Sequence, residues 1–287
     1  MAEHRSWTRV RYESPAPGVA RVTLARPDVR NAQDKRLLYE LNQALDQATQ
    51  DDSVAVIVLA ADGPHFSAGH DLHDDEEMSR FEPVGCWGGF AQPGAEGLVS
   101  MEEELFLGLC WRWRNLCKPT VAQVQGKAIA GGLMLVWACD LIVAEEGASF
   151  SDPVVAFGVN GHEYFVHAWE LGARRAKKLL FTGDAIGAQE AYELGMVGWI
   201  VPGDRLEART LEVARSIAER PGFGLKLAKQ AVNQSLDAQG QWEAVQAAYS
   251  LHALGHANNM VRYGSPLHPD GAGMIRRQSA GAPEGAP

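Results

Sequence analysis

Apolar and polar positions follow two different periods along the chain. Arg9–Tyr12 and Val19–Leu24 read as strands, joined by a proline- and glycine-bearing turn at Ser14–Gly18. Arg26-Pro27-Asp28 ends the second strand, because proline offers no N–H to a ladder. From Asp34 to Gln50 the period lengthens. Leu37, Leu38, Leu41, Leu45 and Ala48 share one face, which predicts an amphipathic helix. Val54–Ala60 is then a continuous apolar run of strand length, the pattern of a strand covered on both sides. This β-α-β order predicts an α/β fold of stacked strands with crossover helices.

Further on the pattern is less even. His73–Ser100 opens with an acidic run and is rich in glycine and proline, so it predicts an irregular, mobile section over the surface. Met101–Asn115 returns to helical spacing with Trp111 and Trp113 on its flank. Lys118–Asp140 predicts a strand, a turn at Gly126, a second extended piece and a helix that opens on Gly131 and Gly132. A strand follows at Asp140–Ala144, then a loop and short strand over Ser149–Asn160. Gly161–Leu180 is predicted mainly helical, with Arg174, Arg175, Lys177 and Lys178 near its end, where cations complement a helix C-terminus. A short helix over Gly183–Gly195 and a last strand at Val197–Val201 lead to Asp204–Leu254, helical throughout and split at Pro221-Gly222. From Gly264 the composition predicts a flexible tail.

Composition narrows the function. A net charge of −10 argues against a general nucleic-acid surface, though not against a polyanionic small molecule held by a few cations and N–H groups. Cys86, Cys110, Cys117 and Cys139 form no CxxC pair and read as reduced thiols. No apolar signal segment and no run long enough for a membrane span is present, so a cytoplasmic location is expected. GxSxG, GxxxxGK[ST] and a strand-linked GxGxxG are all absent.

Two stretches carry the chemistry. Gly131 and Gly132 bring bare backbone to a helix start, where N–H groups lack internal partners and suit an oxygen that gains negative charge. Phe66-Ser67-Ala68-Gly69-His70-Asp71-Leu72 follows a buried strand and offers a second such N–H. Together with RPDVRNA at 26–32, ACDLIVA at 138–144 and FTGDAIGAQEAYELGMVGWIV at 181–201, these motifs resemble the crotonase (enoyl-CoA hydratase/isomerase) superfamily from about Val19 to Pro202, with a weaker helical continuation to about Tyr263. The resemblance implies a spiral of ββα units over residues 1–202, a helical trimerisation region over 203–263, and a tail over 264–287. It implies a homotrimer or dimer of trimers. It also implies an acyl-CoA substrate, with coenzyme A as part of that substrate and no permanent cofactor, whose thioester oxygen is held as an enolate by the N–H groups of His70 and Gly131. CoA contacts would fall at Arg30, Ala68, Asp71, Leu72 and His73.

The same resemblance exposes a gap. The two glutamates with which family hydratases move protons fall here on Met134 and on Val154 of Phe150-Ser151-Asp152-Pro153-Val154. An apolar side chain can neither activate water nor return a proton. Glu163 is the expected substitute base, its pKa raised by an apolar pocket, with His162 or Tyr164 positioning it at a helix start. Asp75, Glu76, Glu77, Glu103 and Glu104 are further carboxylates within plausible reach. No metal is expected, since a helix would turn His167, five residues after His162, off the first ring's face. The rival reading is a catalytically silent CoA-thioester binder or a structural subunit of a mixed oligomer.

Overall fold

A computed structural model describes residues 7–281. The predicted hairpin forms, with β1 (Val10–Ala16) antiparallel to β2 (Val19–Leu24). Helix α1 (Lys35–Gln50) starts where expected because the Asp34 carboxylate accepts the Leu37 N–H at 2.7 Å. All six residues of β3 (Val56–Ala61) are buried, as its unbroken apolar run requires. Successive side chains of β3 point to opposite faces. Ile57 and Leu59 join the main core with α1, while Val56 and Val58 face the other way.

After β3 the chain departs from expectation. The irregular section ends at α2 (Ala95–Glu102), which continues through a π-helical segment, Glu103–Gly108, into α3 (Leu109–Arg114). Glu104 is buried here and accepts from the Tyr39 hydroxyl, the Val84 N–H and the Gly85 N–H, so it pins the section rather than serving a site. The acidic run does not swing over a cavity either. Asp74 pairs with Lys35 and Glu76 with Arg36, both on α1.

The next strands alternate between two sheets. β4 (Thr120–Val124), β6 (Leu141–Glu145) and β9 (Trp199–Val201) extend the large sheet in parallel, giving the order β1-β2-β3-β4-β6-β9. β5 (Lys127–Ile129), β7 (Ser149–Ser151) and β8 (Ile186–Gly187) form a small one. Helix α4 (Gly131–Trp137) follows β5, so β4-β5-α4 is one turn of the expected ββα spiral.

Gly161–Leu180 is less helical than its composition predicts. α5 (His167–Leu171) is one short helix, and Gly172, at φ +72°, breaks it from α6 (Ala173–Thr182). The basic cluster therefore lies within the first six residues of α6, whose last turn carries no cation, so it does not complement a helix C-terminus. α7 (Ala188–Glu193) precedes β9, and α8 (Leu206–Ala218) packs Leu206, Val213 and Ala214 on the Val56–Val58 face of the large sheet. α9 (Gly222–Ala238) and α10 (Gln241–Tyr263) part at Gly240, at φ +87°, a second break beyond the one predicted at Pro221. Among the described residues no helix is long and apolar enough to cross a membrane.

The segment expected to be a flexible tail is folded over most of its length. The His268 N–H donates to the Phe157 carbonyl, and α11 (Gly271–Gly281) packs beside Pro153–Phe157, where Gly271 lies against the Phe157 ring. Residues 282–287 lie outside the described part.

Candidate active site

Glycine brings two loops into contact at the heart of the molecule. Gly69 has φ +90°, and a Cβ there would sit 2.8 Å from the Ile129 carbonyl. A Cβ on Gly132 would sit 2.4 Å from the Ser67 carbonyl. The loop after β3 is thus seated directly on the start of α4. Buried Ser67 locks it by donating to the Asn31 carbonyl at 2.8 Å. Ala130, which enters the helix, holds φ +48°, an uncommon conformation for a residue with a side chain. Among the described residues, neither the His70 N–H nor the Gly131 N–H finds an acceptor.

A cavity of about 450 Å³ opens beside these loops. Ala68, His70, Ala130, Val154, His162 and Glu163 are among the residues that line it. Glu163 is 5% exposed. Its Oε2 lies 3.4 Å from His70 Nε2 and its Oε1 3.5 Å from His252 Nε2. Burial alone would lift its pKa, but His70 and His252 outweigh that and hold it below the usual carboxylate range. The expected rise towards neutrality does not occur, because the pocket is apolar only away from these imidazoles. Beyond His252 the chain of polar groups continues. His252 Nε2 is 2.9 Å from His256 Nε2, which is 3.0 Å from Glu102 Oε1.

Residues 15–264 match the enoyl-CoA hydratase/isomerase family. The chain belongs to that family, within the crotonase superfamily. It is 43% identical over 263 residues to EchA13 of Mycobacterium tuberculosis, a protein named for enoyl-CoA hydratase, covering 88% of this chain and 82% of that one. A crystal structure from Mycobacterium thermoresistibile, also named for enoyl-CoA hydratase, superposes with a TM-score of 0.83 at 45% identity, covering 90% of this chain and 99% of the other. A 4-chlorobenzoyl coenzyme A dehalogenase of Arthrobacter is 34% identical over 208 residues, covering 71% of this chain and 70% of its own. Crotonase relatives at this distance therefore differ in reaction.

The two residues expected at the family's glutamate positions lie in different settings. Met134 is 1% exposed, sits in the core and does not line the cavity. Val154 does line it. The substitute carboxylate Glu163 reaches the cavity, but not from a helix start, since α5 begins only at His167. Its neighbours are His70 and His252 rather than the expected His162 or Tyr164. Tyr164 is packed in the core. The His162 ring has no hydrogen-bond partner and lies among Trp137, His167 and Asp152. Burial pushes its pKa down to about 3; the nearby His167 adds to this and Asp152 opposes it. Asp152 itself accepts the His162 N–H at 3.0 Å and meets His167 Nε2 at 2.7 Å. The expected separation of His162 from His167 does not occur, because residues 162–166 are not helical and the two rings lie tilted at 37° with centroids 4.4 Å apart.

The expected CoA contacts are scattered in character. Ala68, Asp71 and Leu72 line the cavity, whereas Arg30 and His73 are exposed and do not. The Asp71 carboxylate is engaged, at 3.1 Å from Arg26 Nη1 and 3.1 Å from the His73 N–H. Glu102, not Glu103 or Glu104, is the carboxylate that α2 delivers to the cavity. His252 and His256 were missed, although their spacing of four on a helical segment was visible in the sequence. Arg276, from the supposed tail, also lines the cavity.

Proposed function

We propose that the chain is an acyl-CoA enzyme that works through a thioester enolate. The N–H groups of His70 and Gly131 hold the thioester oxygen, and Glu163 takes the proton from the adjacent carbon. The observation that carries the reading is a buried carboxylate, Glu163, 3.4 Å from His70 in a cavity next to the loop whose N–H lacks an acceptor. Water exclusion strengthens both interactions, since a field acts more strongly at low dielectric. His70 and His252 position Glu163 and, against burial, hold it in the carboxylate form. The CoA portion runs past Ala68 and Leu72, with Arg30 and His73 at the rim available to its phosphates. An isomerase or a dehydrating lyase begins with this proton abstraction, a hydratase reaches the same enolate by adding water at the β-carbon, and a thioesterase would use the same N–H groups for a tetrahedral oxyanion; the relatives' names include a hydratase and a dehalogenase.

The test is a panel of enoyl-, hydroxyacyl- and aryl-CoA thioesters followed by mass. Turnover of at least one is expected, and Glu163→Gln should lower kcat by about 10²–10⁴-fold while thioester binding persists. Full activity in that variant would remove Glu163 from the chemistry. Burial of Met134 in the core, with Val154 on the wall, favours a second reading, a silent thioester binder or a structural subunit of a mixed oligomer. Binding of the panel without turnover of any member would select it. Exposed Phe223, Leu227 and Val232 on α9, with Leu251, Leu254 and Val261 on α10, support a homotrimer or dimer of trimers. A monomer mass in solution would overturn that.

A further inference from the structure

One wall of the cavity brings three potential ligand residues together. His252 and His256 lie one helical turn apart on α10, so both rings leave the same face. His252 Nδ1 is 2.7 Å from the Gly161 carbonyl, and His256 Nδ1 is 2.7 Å from the Pro266 carbonyl. A carbonyl oxygen only accepts, so each Nδ1 carries a hydrogen and each ring turns its Nε2 inward. Those two nitrogens are 2.9 Å apart. His256 Nε2 is 3.0 Å from Glu102 Oε1, and His252 Nε2 is 3.9 Å from Glu102 Oε2. All three residues are at most 5% exposed, and Glu102 Oε2 has no hydrogen-bond partner.

Lone pairs this close repel in a buried setting unless a cation lies between them. A proton on His256 Nε2 can sit against Glu102 Oε1, but it leaves His252 Nε2 and Glu102 Oε2 without one of their own. A divalent ion relieves all of them at once. Ligands at about 2.0–2.2 Å from an ion, set at right or tetrahedral angles, stand roughly 2.9–3.4 Å from one another, the range of the two shortest separations. An Nδ1–H held by a backbone carbonyl is also the usual way a metal-binding imidazole is oriented. We infer that Glu102, His252 and His256 form a binding site for a divalent transition-metal ion of the zinc class, with its remaining position open to the cavity beside Glu163.

The surroundings fit. All three residues line the cavity, so an entry path exists and a water could occupy the open position. That water would stand near Glu163, in a cavity where Val154 supplies no carboxylate. The second cluster, Asp152 with His162 and His167, lacks this conflict, because one hydrogen on His167 Nε2 satisfies its short contact to Asp152. It serves as an internal control. The site stands independently of the enolate reading and is measured without any thioester.

The experiment uses the full chain, freed of metal with a chelator and titrated calorimetrically with Zn²⁺ alone. Cobalt(II) in a parallel titration reports coordination by its visible absorption. One ion per chain is expected. His256→Gln and Glu102→Gln should each weaken it about 100-fold or more, beyond the 10–100-fold typical of losing an outer partner. His162→Leu should bind as the unaltered chain does. Because Glu102→Gln keeps shape and volume, it stays informative if His256→Gln fails to fold. Absence of stoichiometric uptake, or uptake unchanged in Glu102→Gln, would overturn the site and leave a shared proton between the rings.

Discussion

Replacing His162 with leucine should flatten the acid side of the stability profile. The native ring is fully buried, both nitrogens are unpartnered, and its pKa is pushed down to about 3 from 6.5. The folded chain therefore keeps this ring neutral at mildly acid pH, while the unfolded chain protonates it. Wherever the unfolded state binds the extra proton, stability falls as pH falls. The loss begins near the unfolded pKa and continues until the folded value is reached. Between about pH 7 and about pH 5 the unfolded state gains roughly 2 kcal/mol from this one group, and the full span to the folded pKa would reach roughly 5 kcal/mol. Asp152 also titrates, but its lowered pKa places that change below the ordinary 3.8, outside the window. Urea unfolding of both proteins at the two pH values is the assay. The unaltered chain should lose about 2 kcal/mol more than His162→Leu. At neutral pH the leucine should cost little, since no hydrogen bond is broken. Parallel losses in the two proteins would refute the reasoning and imply a solvated or protonated ring.

Gly132→Ala places a Cβ 2.4 Å from the Ser67 carbonyl, so it should cost about 1–3 kcal/mol and displace the loop that carries His70. Thermal midpoint and turnover should fall together, and wild-type values for both would refute the close apposition of the loops. Asp34→Ala removes the Leu37 cap and ion pairs at 3.1 Å to Arg9 and 3.1 Å to Arg26, a loss of about 1–3 kcal/mol by chemical denaturation. Turnover per folded molecule should not change. Glu104→Ala leaves the Tyr39 hydroxyl and the Val84 and Gly85 N–H groups without their acceptor, so limited proteolysis should cut earlier between residues 82 and 94. Unchanged cleavage would show that the section is held elsewhere.

The sequence carried the elements whose signal is local. Asp34 capping an apolar-faced helix, the unbroken run of β3 and the glycine pair of α4 each dictate their structure within a few residues. The family was legible for the same reason, since its motifs sit where backbone must approach backbone. The misreadings come from contacts that span the chain. Glu163 looked like a carboxylate in an apolar pocket because His70 and His252, which set its charge, lie 93 and 89 residues away. Helical spacing does not apply to His162 and His167, where the backbone is not helical, but it does to His252 and His256, where it is. Composition marked residues after Gly264 as a tail, yet hydrogen bonds to Phe157 and His256 hold part of that segment in place.

Placing Pro266, Leu267 and Arg276 in the cavity wall fixes when the site can exist during synthesis. The large sheet is complete once Val201 has emerged, but Arg276 follows about 75 residues later. At about 5–20 residues per second a ribosome needs roughly 4–15 s for that interval. Throughout it a nascent chain would hold a finished large sheet with the cavity wall incomplete. A chain stopped after Tyr263 would keep the spiral and His256 but lose the Pro266 carbonyl that orients the ring, so truncation would separate folding from ligand capture.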